Sequence, residues 1–161
     1  MKYCAFLRGI NVNGVKIKMA DLKQNFESHG FADIQTILAT GNVIFSSETA
    51  PNLSFLPVKT FIKTEAQLRE IWQAQPLTAK ENYHIYVFIA DSGFANTAQL
   101  EFENLGTAAE QAATVDDTFY WQVPVGSTLD SPFGKILGKK QYKELFTSRN
   151  INTIERILKK L

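Results

Sequence analysis

The chain has 161 residues, 45% of them hydrophobic, so it is long enough to bury a substantial core as one domain or as two small halves. Seventeen basic and sixteen acidic residues give a net charge of +1, which excludes a global positive field for non-specific nucleic-acid binding. The single cysteine, Cys4, excludes an internal disulfide framework and is expected to be a buried structural thiol.

The charges are unevenly distributed along the chain. Residues 91–130 contain seven acidic and no basic residues, whereas residues 131–161 contain eight basic and two acidic residues. The C-terminal segment is therefore predicted to present a basic face.

No signal-peptide pattern opens the chain and no apolar run approaches the roughly 20 residues of a membrane span, so we expect a cytoplasmic protein without a membrane partner.

The first predicted elements are a strand and a helix. Residues 3–7 are apolar at every position, as in a strand that is buried on both faces. Met19, Leu22 and Phe26 recur at helical spacing, and Gly30 supplies a left-handed C-cap. The glycine- and asparagine-rich connection between them therefore joins a central strand to a covering helix.

This connection is similar to a phosphate-binding P-loop, in which main-chain N–H groups and a lysine surround an anion. Gly9 and Gly14 have the right spacing, but Lys16 comes one position late, and Ile17 replaces the hydroxyl residue that holds Mg²⁺. The sequence therefore favours a structural role for the two glycines, which permit positive φ in a tight connection, over a nucleotide hydrolase. A looser prediction is that Arg8, Lys16 and the loop amides bind an anion without hydrolysing it.

Three motifs in order carry a resemblance to a known family. The first motif continues into the helix. The second covers the turn at residues 40–42 and the following strand of a hairpin that residues 34–46 predict, and the third lies near the C-terminus. On these residues the chain resembles the DUF1697 family of uncharacterised, mostly bacterial proteins. The motifs are Leu7-Arg8-Gly9-Ile10-Asn11-Val12-x-Gly14 with Met19-Ala20-x-Leu22 and Gly30-Phe31, then Thr40-Gly41-Asn42-Val43-x-Phe45, then Thr147-Ser148-Arg149-Asn150-x-x-Thr153.

The resemblance implies an α+β fold. Its N-terminal half would be ferredoxin-like, with βαββαβ topology and an antiparallel sheet, packed against a second small α+β half. The first and third strands of such a sheet are central antiparallel neighbours. Arg8 and Gly9 at the end of the first strand would then adjoin Gly41 and Asn42 at the start of the third.

The predicted division of the chain lies between residues 63 and 64. Residues 48–56 contain a proline and few helix signals, so the second helix of the ferredoxin-like half, residues 1–63, is predicted to be shortened. Thr64 and Gln67 form a capping box that begins the next helix. The second α+β half, residues 64–161, ends in a basic helix.

The second half repeats the alternation of strands and helices. Residues 85–89 predict another buried strand, and residues 113–123 predict a hairpin rich in aromatic side chains. An exposed aromatic strand would suit stacking of single-stranded nucleic acid. Core packing is favoured, because the three consecutive aromatics of residues 119–121 populate both faces and acids flank the hairpin. Ser131 and Pro132 predict the start of a further helix.

The third motif is predicted to lie at the N-terminus of the last helix. Asn150 or Asn152 would cap that helix, which would explain the asparagines and Thr153 without a ligand. Arg149 is harder to explain in this way. An arginine at a helix N-terminus opposes the macrodipole and usually needs a carboxylate or a bound anion beside it.

The first functional hypothesis is a binding protein. Its loops would hold a phosphate-bearing ligand, either a nucleotide or a nucleic-acid backbone, because arginines supply charge while asparagines and hydroxyls fix orientation. The predicted ligand-binding residues are Arg8, Gly9, Asn11, Gly14, Lys16, Gly41, Asn42, Ser148, Arg149, Asn150 and Thr153.

Two alternatives stay open. An enzyme finds little support, because the three motifs contain no His, Asp or Glu for acid–base work and no metal-ligand spacing occurs, so catalytic residues and cofactors are unassigned. The other alternative is a structural network in a protein-interaction module, formed by Arg8, Asn11, Asn42 and Asn150. It is favoured almost as strongly as ligand binding. A groove lined by Arg8 and Arg149 favours a site, whereas guanidiniums paired with protein groups favour the network. The oligomeric state stays open.

Overall fold

The computed structural model describes residues 1–11, 15–105 and 107–161. Contacts divide the chain into two compact units. The first unit comprises Met1–Glu70 and Glu155–Leu161, and the second comprises Ile71–Ile154. Both units are α+β with an antiparallel sheet, which confirms the predicted fold class. The predicted division into independent domains at residues 63 and 64 stays a prediction.

The first unit has the ferredoxin-like topology that the motifs implied. Its sheet has the strand order β2-β3-β1-β4, and every neighbouring pair is antiparallel. Residues 47–59, all of which the structure describes, form no helix, so the second helix is absent rather than only shortened. The elements are β1 (Lys2–Leu7), α1 (Met19–Ser28), β2 (Ala32–Ile37), β3 (Asn42–Ser46), β4 (Thr60–Thr64) and α2 (Glu65–Gln73), which crosses into the second unit.

Apolar side chains from the 47–59 segment replace the missing helix. Leu53 and Leu56 are buried in the same core as Phe26 of α1 and Phe45 of β3. Phe55 packs edge-on against Phe26, with ring centroids 5.6 Å apart. A loop anchored by three apolar side chains can cover the sheet as a helix would, because the hydrophobic effect depends on the apolar area removed from water and not on direction. Cys4 is fully buried in β1, as predicted.

The second unit repeats the topology. Its strand order is β6-β7-β5-β8, again with antiparallel neighbours throughout, so β5 takes the place of β1. Ser131 begins the second helix of this unit as predicted, because its hydroxyl accepts the Gly134 N–H at 3.1 Å. The elements are β5 (Tyr83–Ala90), α3 (Phe94–Glu103), β6 (Gln111–Val115), β7 (Thr118–Pro124), α4 (Pro132–Leu137), a 3-10 turn (Lys140–Tyr142), β8 (Phe146–Asn150) and α5 (Ile151–Leu158), which ends in the first unit.

The aromatic residues of β7 belong to the core, as the favoured interpretation predicted. Phe119 and Tyr120 are fully buried, and Trp121 is 2% exposed. Phe119 and Trp121 pack with Phe133 of α4 on one face of the sheet. Tyr120 points to the opposite face, where its hydroxyl donates to the Ile71 carbonyl at 2.6 Å. These side chains are not available as a stacking platform for nucleic acid.

Candidate functional site

The first two motifs meet at one end of the first sheet. The Leu7 N–H donates to the Gly41 carbonyl at 2.8 Å, and Phe6 is paired with Asn42 across β1 and β3. Arg8 follows directly, and its N–H donates to the carbonyl of Lys59 at 2.9 Å. The predicted proximity of the β1 end to the β3 start is therefore confirmed.

Gly41 has a structural reason to be glycine. Its φ is +90°, in the region that L side chains rarely adopt. A Cβ at this position would lie 2.8 Å from Cδ1 of Ile10 and 3.0 Å from Cβ of Leu7. The close approach of the β2–β3 turn to the end of β1 therefore requires the missing side chain.

Asn42 is fully buried and braces the turn that precedes β3. Its Nδ2 donates to the Ile37 carbonyl at 2.8 Å and lies 3.1 Å from Oγ1 of Thr40. Both amide hydrogens therefore point to groups of the β2–β3 connection. This geometry gives Asn42 a role in positioning the turn rather than in facing a ligand.

Asn11 ties the connection after β1 to the same turn. Its Nδ2 donates to the carbonyls of Ile17 and Ala39 at 3.0 and 2.9 Å, and its Oδ1 accepts the Ile17 N–H at 3.0 Å. We call these three hydrogen bonds the Asn11 clasp. The residue has φ +57°, a conformation that asparagine tolerates better than most side chains. The clasp holds the two ends of the loop together and fixes them against residue 39.

The remaining residues of the first motif provide charge and open space. Arg8 is half-buried at the end of β1, whereas Lys16 is exposed. Gly9 is exposed with φ +69°, and among the described residues no heavy atom lies within 4 Å of where its Cβ would be. The chain contains four basic residues and no acidic residue before Asp21. Gly14, the second glycine of the motif, lies outside the described residues.

The third motif spans the end of β8 and the start of α5, so Arg149 directly precedes the N-cap of the last helix, as predicted, and is also a strand residue. Arg149 lies in β8, where it pairs with Val87 of β5, and it is 8% exposed. Its Nη1 donates to Oγ1 of Thr147 at 2.7 Å and to the Ser148 carbonyl at 2.9 Å. Protein groups therefore take up part of its hydrogen-bonding capacity, which is the outcome that favours a structural network.

Asn150 caps α5 as predicted, because its Oδ1 accepts the Asn152 N–H at 3.0 Å. Its Nδ2 lies 3.1 Å from Nδ1 of His84, a residue that the sequence placed only at the start of a strand. The pairing of β5 with β8 brings the two side chains together, and no sequence pattern predicts that register. Ser148 and Thr153 are half-buried.

The predicted residues thus form two groups. One lies in the first unit and the other in the second, and their convergence on a single ligand stays a prediction. Within the described parts of the chain, no three His, Cys, Asp or Glu side chains are placed to hold a metal ion. Over the same residues, every helix is too short or too polar to cross a bilayer. The first group is Arg8, Gly9, Asn11, Lys16, Gly41 and Asn42, and the second is Ser148, Arg149, Asn150 and Thr153.

Comparisons with known proteins agree with the motifs and the topology. The model of the DUF1697 family, described as a protein of unknown function, matches residues 1–56, which confirms the resemblance over the first two motifs. A solved structure of the conserved bacterial protein SP0830 from Streptococcus pneumoniae has a TM-score of 0.80 and 19% identity, and the alignment covers 99% of this chain and 97% of that one. This likeness shows a shared fold. No curated protein matches the chain.

Proposed function

We propose that this DUF1697-like chain is a binding protein whose first unit holds a phosphate-bearing ligand beside the connection between β1 and α1. Arg8, the Gly9 amide and Lys16 would contact the phosphate. Asn11, Gly41 and Asn42 would act indirectly, because their observed contacts shape the connection and the neighbouring turn.

The observation that carries this proposal is an internal comparison between the units. The β1–α1 connection, residues 8–18, has eleven residues, and we call it the long connection. The β5–α3 connection occupies the same place in the second unit with only residues 91–93, and we call it the short connection. Three residues are therefore enough to close this topology. Binding residues lie disproportionately on loops, so extra length in a loop that the fold does not need supports a functional role.

Equivalent hydrogen bonds show that the two connections start at equivalent positions in their own sheets. The Arg8 N–H donates to the carbonyl of the residue before β4, and the Asp91 N–H donates to the carbonyl of the residue before β8, at 2.9 and 3.0 Å. The first unit thus has a cationic side chain where the second has a carboxylate. This difference in charge supports binding of an anion in the first unit only.

Local chemistry supports a phosphate as that anion. The guanidinium of Arg8 offers several donors in a planar fork that matches phosphate oxygens. The positive φ of Gly9 suits a backbone turn that presents amides to an anion. Within the described residues, the N-cap of α1, Lys18, makes no side-chain cap, so first-turn N–H groups are open to a ligand.

The test is titration calorimetry with inorganic phosphate, adenosine monophosphate and a short oligothymidylate, each at two salt concentrations. Arg8→Gln is expected to weaken phosphate binding at least about tenfold, because a charge-assisted hydrogen bond contributes roughly 1.5–3 kcal/mol. Arg69→Gln is the matched control, since Arg69 lies in the first unit but pairs with Glu65 at 2.6 Å. Equal affinities for the wild type and Arg8→Gln would contradict the proposal. A steep salt effect confined to the oligonucleotide would indicate a nucleic-acid backbone.

A structural network is the second candidate, because the side-chain amides of Asn11 and Asn42 donate to backbone carbonyls. In that case the motif residues would maintain the loops of a protein-interaction module. The same variant separates the two functions. Loss of stability in Arg8→Gln, with no ligand bound by the wild type, would favour the network.

A further inference from the structure

A second cluster of polar side chains lies in the second unit. Side chains alternate between the faces of a strand, so His84 and Tyr86 share the face of β5 that packs under α3 and α4. Asn150 is paired with Tyr86 across β5 and β8, and its side chain contacts His84. We call His84, Tyr86 and Asn150 the His84 cluster. All three residues are half-buried, so they contact both the core and solvent.

The hydrogen bonds of Asn150 fix which way its amide points. Oδ1 accepts the Asn152 N–H at 3.0 Å, and only the oxygen of an amide can accept. Nδ2 must therefore be the atom that lies 3.1 Å from Nδ1 of His84. Because an NH₂ group is only a donor, Nδ1 has to be the acceptor.

The proton of the neutral His84 ring consequently resides on Nε2. An imidazole in this tautomer is a hydrogen-bond donor at Nε2 and is not ready to ligate a metal or to accept a proton there. A metal-binding or basic histidine needs the opposite arrangement, with its other ring nitrogen donating to a carbonyl or a carboxylate. Asn150 therefore assigns His84 a single chemical role at its free nitrogen.

Tyr86 is the aromatic neighbour of the His84 ring. The rings of His84 and Tyr86 are 5.8 Å apart at 61°, and the Tyr86 hydroxyl lies 3.2 Å from Oγ1 of Thr128. In the part of the chain that the structure describes, the Nε2 atom of His84 has no hydrogen-bond partner. A half-buried donor without a protein acceptor is available to a ligand or to water.

We propose that His84 is the donor of a second ligand site, which takes the carbonyl or carboxylate oxygen of a small molecule. Nε2–H donates to that oxygen, the Tyr86 ring offers an apolar wall, and Asn150 is a positioning residue that keeps the proton on Nε2. This site is independent of the phosphate site proposed for the first unit.

The first part of the test is the tautomer of His84, read from imidazole nitrogen shifts in ¹H–¹⁵N NMR spectra at pH 8. His29, the second of the two histidines, is an internal control, because its Nδ1 lies 2.8 Å from the Asn25 carbonyl and must carry the proton. We expect Nε2–H for His84 and Nδ1–H for His29. Asn150→Asp replaces the donor with an acceptor of the same shape and is expected to move the His84 proton to Nδ1.

The second part uses benzamide and benzoate as neutral and charged oxygen acceptors, with benzylamine as a control that has no acceptor oxygen. Saturable shifts of the His84 ring with benzamide or benzoate, weakened about fivefold in Asn150→Asp, are expected for one neutral hydrogen bond. If benzamide binds more tightly the site prefers a carbonyl oxygen, and if benzoate binds more tightly it prefers a carboxylate.

Three results would overturn the proposal. These are an Nδ1–H tautomer of His84 in the wild type, no shift with either oxygen probe, and equal shifts with benzylamine. If Asn150→Asp fails to fold, the wild-type tautomer and the three probe titrations still decide between acceptance and rejection.

Discussion

The long and short connections show how one topology carries different chemistry in its two units. Each leaves the first strand of a ferredoxin-like sheet and enters the first helix, but one uses eleven residues and the other three. The short connection is closed by a carboxylate, since Asp117 accepts the Gly93 N–H at 3.2 and 3.3 Å. The long connection is held by the Asn11 clasp, in which the Asn11 Nδ2 donates to the carbonyl of residue 39.

We call these two sets of hydrogen bonds the braces. In each unit, the brace joins the connection after the first strand to the turn between the second and third strands. In the second unit the turn provides the side chain, whereas in the first unit the connection provides it. The fold thus determines where a connection must be braced but leaves its length and charge free. The first unit uses that freedom for a basic, glycine-containing loop.

The largest effect is expected where the long connection touches its turn. Gly41→Ala combines a left-handed backbone with a Cβ 2.8 Å from Ile10, and is expected to lower the free energy of unfolding by about 3 kcal/mol. Gly9→Ala has a similar φ but open space among the described residues, and is expected to cost about 1 kcal/mol. Urea unfolding of both variants measures the difference. Equal costs would mean that the turn does not pack against the long connection as described.

The second-largest effect is expected from alkaline pH, which should lower the free energy of unfolding of the second unit. Burial, with a smaller contribution from the charge of Asp116, raises the pKa of Tyr120 from its ordinary value of 10.0 to about 12. The folded protein then keeps a proton that the unfolded chain releases, so this stability is fully present below pH 10 and is lost as the pH rises from 10 towards 12. The loss approaches about 2.7 kcal/mol, the equivalent of two pKa units.

Denaturant unfolding between pH 9 and pH 12 measures this loss, with Tyr120→Phe as the control that has no phenol to ionise. The wild type should lose stability more steeply than the variant across this range. Parallel curves for the two proteins would show that Tyr120 ionises equally well in the folded and unfolded states.

The smallest effects are expected from the two braces themselves. Asn11→Ala and Asp117→Ala each remove side-chain contacts to an exposed connection, and each is expected to cost about 1 kcal/mol, as for the loss of a helix cap. Only Asn11→Ala should also weaken phosphate binding, because only the long connection is proposed to hold the ligand. Calorimetric titration of both variants with phosphate measures this difference, and an equal loss of affinity in both would contradict a ligand site in the long connection.

The sequence predicts the central elements well and the edges poorly. The continuous apolar runs in β1 and β5 identify buried strands, because both faces of a central strand must exclude water. The meeting of Gly41 with the β1 end follows from the topology that the family motifs imply. Residues 47–59 were harder, since a loop anchored by Leu53 and Leu56 leaves no helical period to detect.

The third motif illustrates the limit of the sequence signal. Phe146–Asn150 is a polar strand at the edge of the sheet, and backbone hydrogen bonds that hold such a strand depend little on its side chains. The sequence predicts the helix that starts just after Arg149, but it does not predict the strand in which Arg149 is buried. His84 was missed for a related reason, because its contact with Asn150 depends on strand register, which local patterns do not encode.

A two-dimensional amide NMR titration of the whole chain with inorganic phosphate tests the proposed phosphate site in the long connection directly. We expect saturable shifts at Gly9 and Lys16 in the long connection and no matching shifts at residues 91–93 in the short connection. The shifts in the long connection should be lost in Arg8→Gln. Shifts of similar size in both connections would indicate non-specific ion effects. An unmoved long connection at saturating phosphate would contradict the proposed site outright.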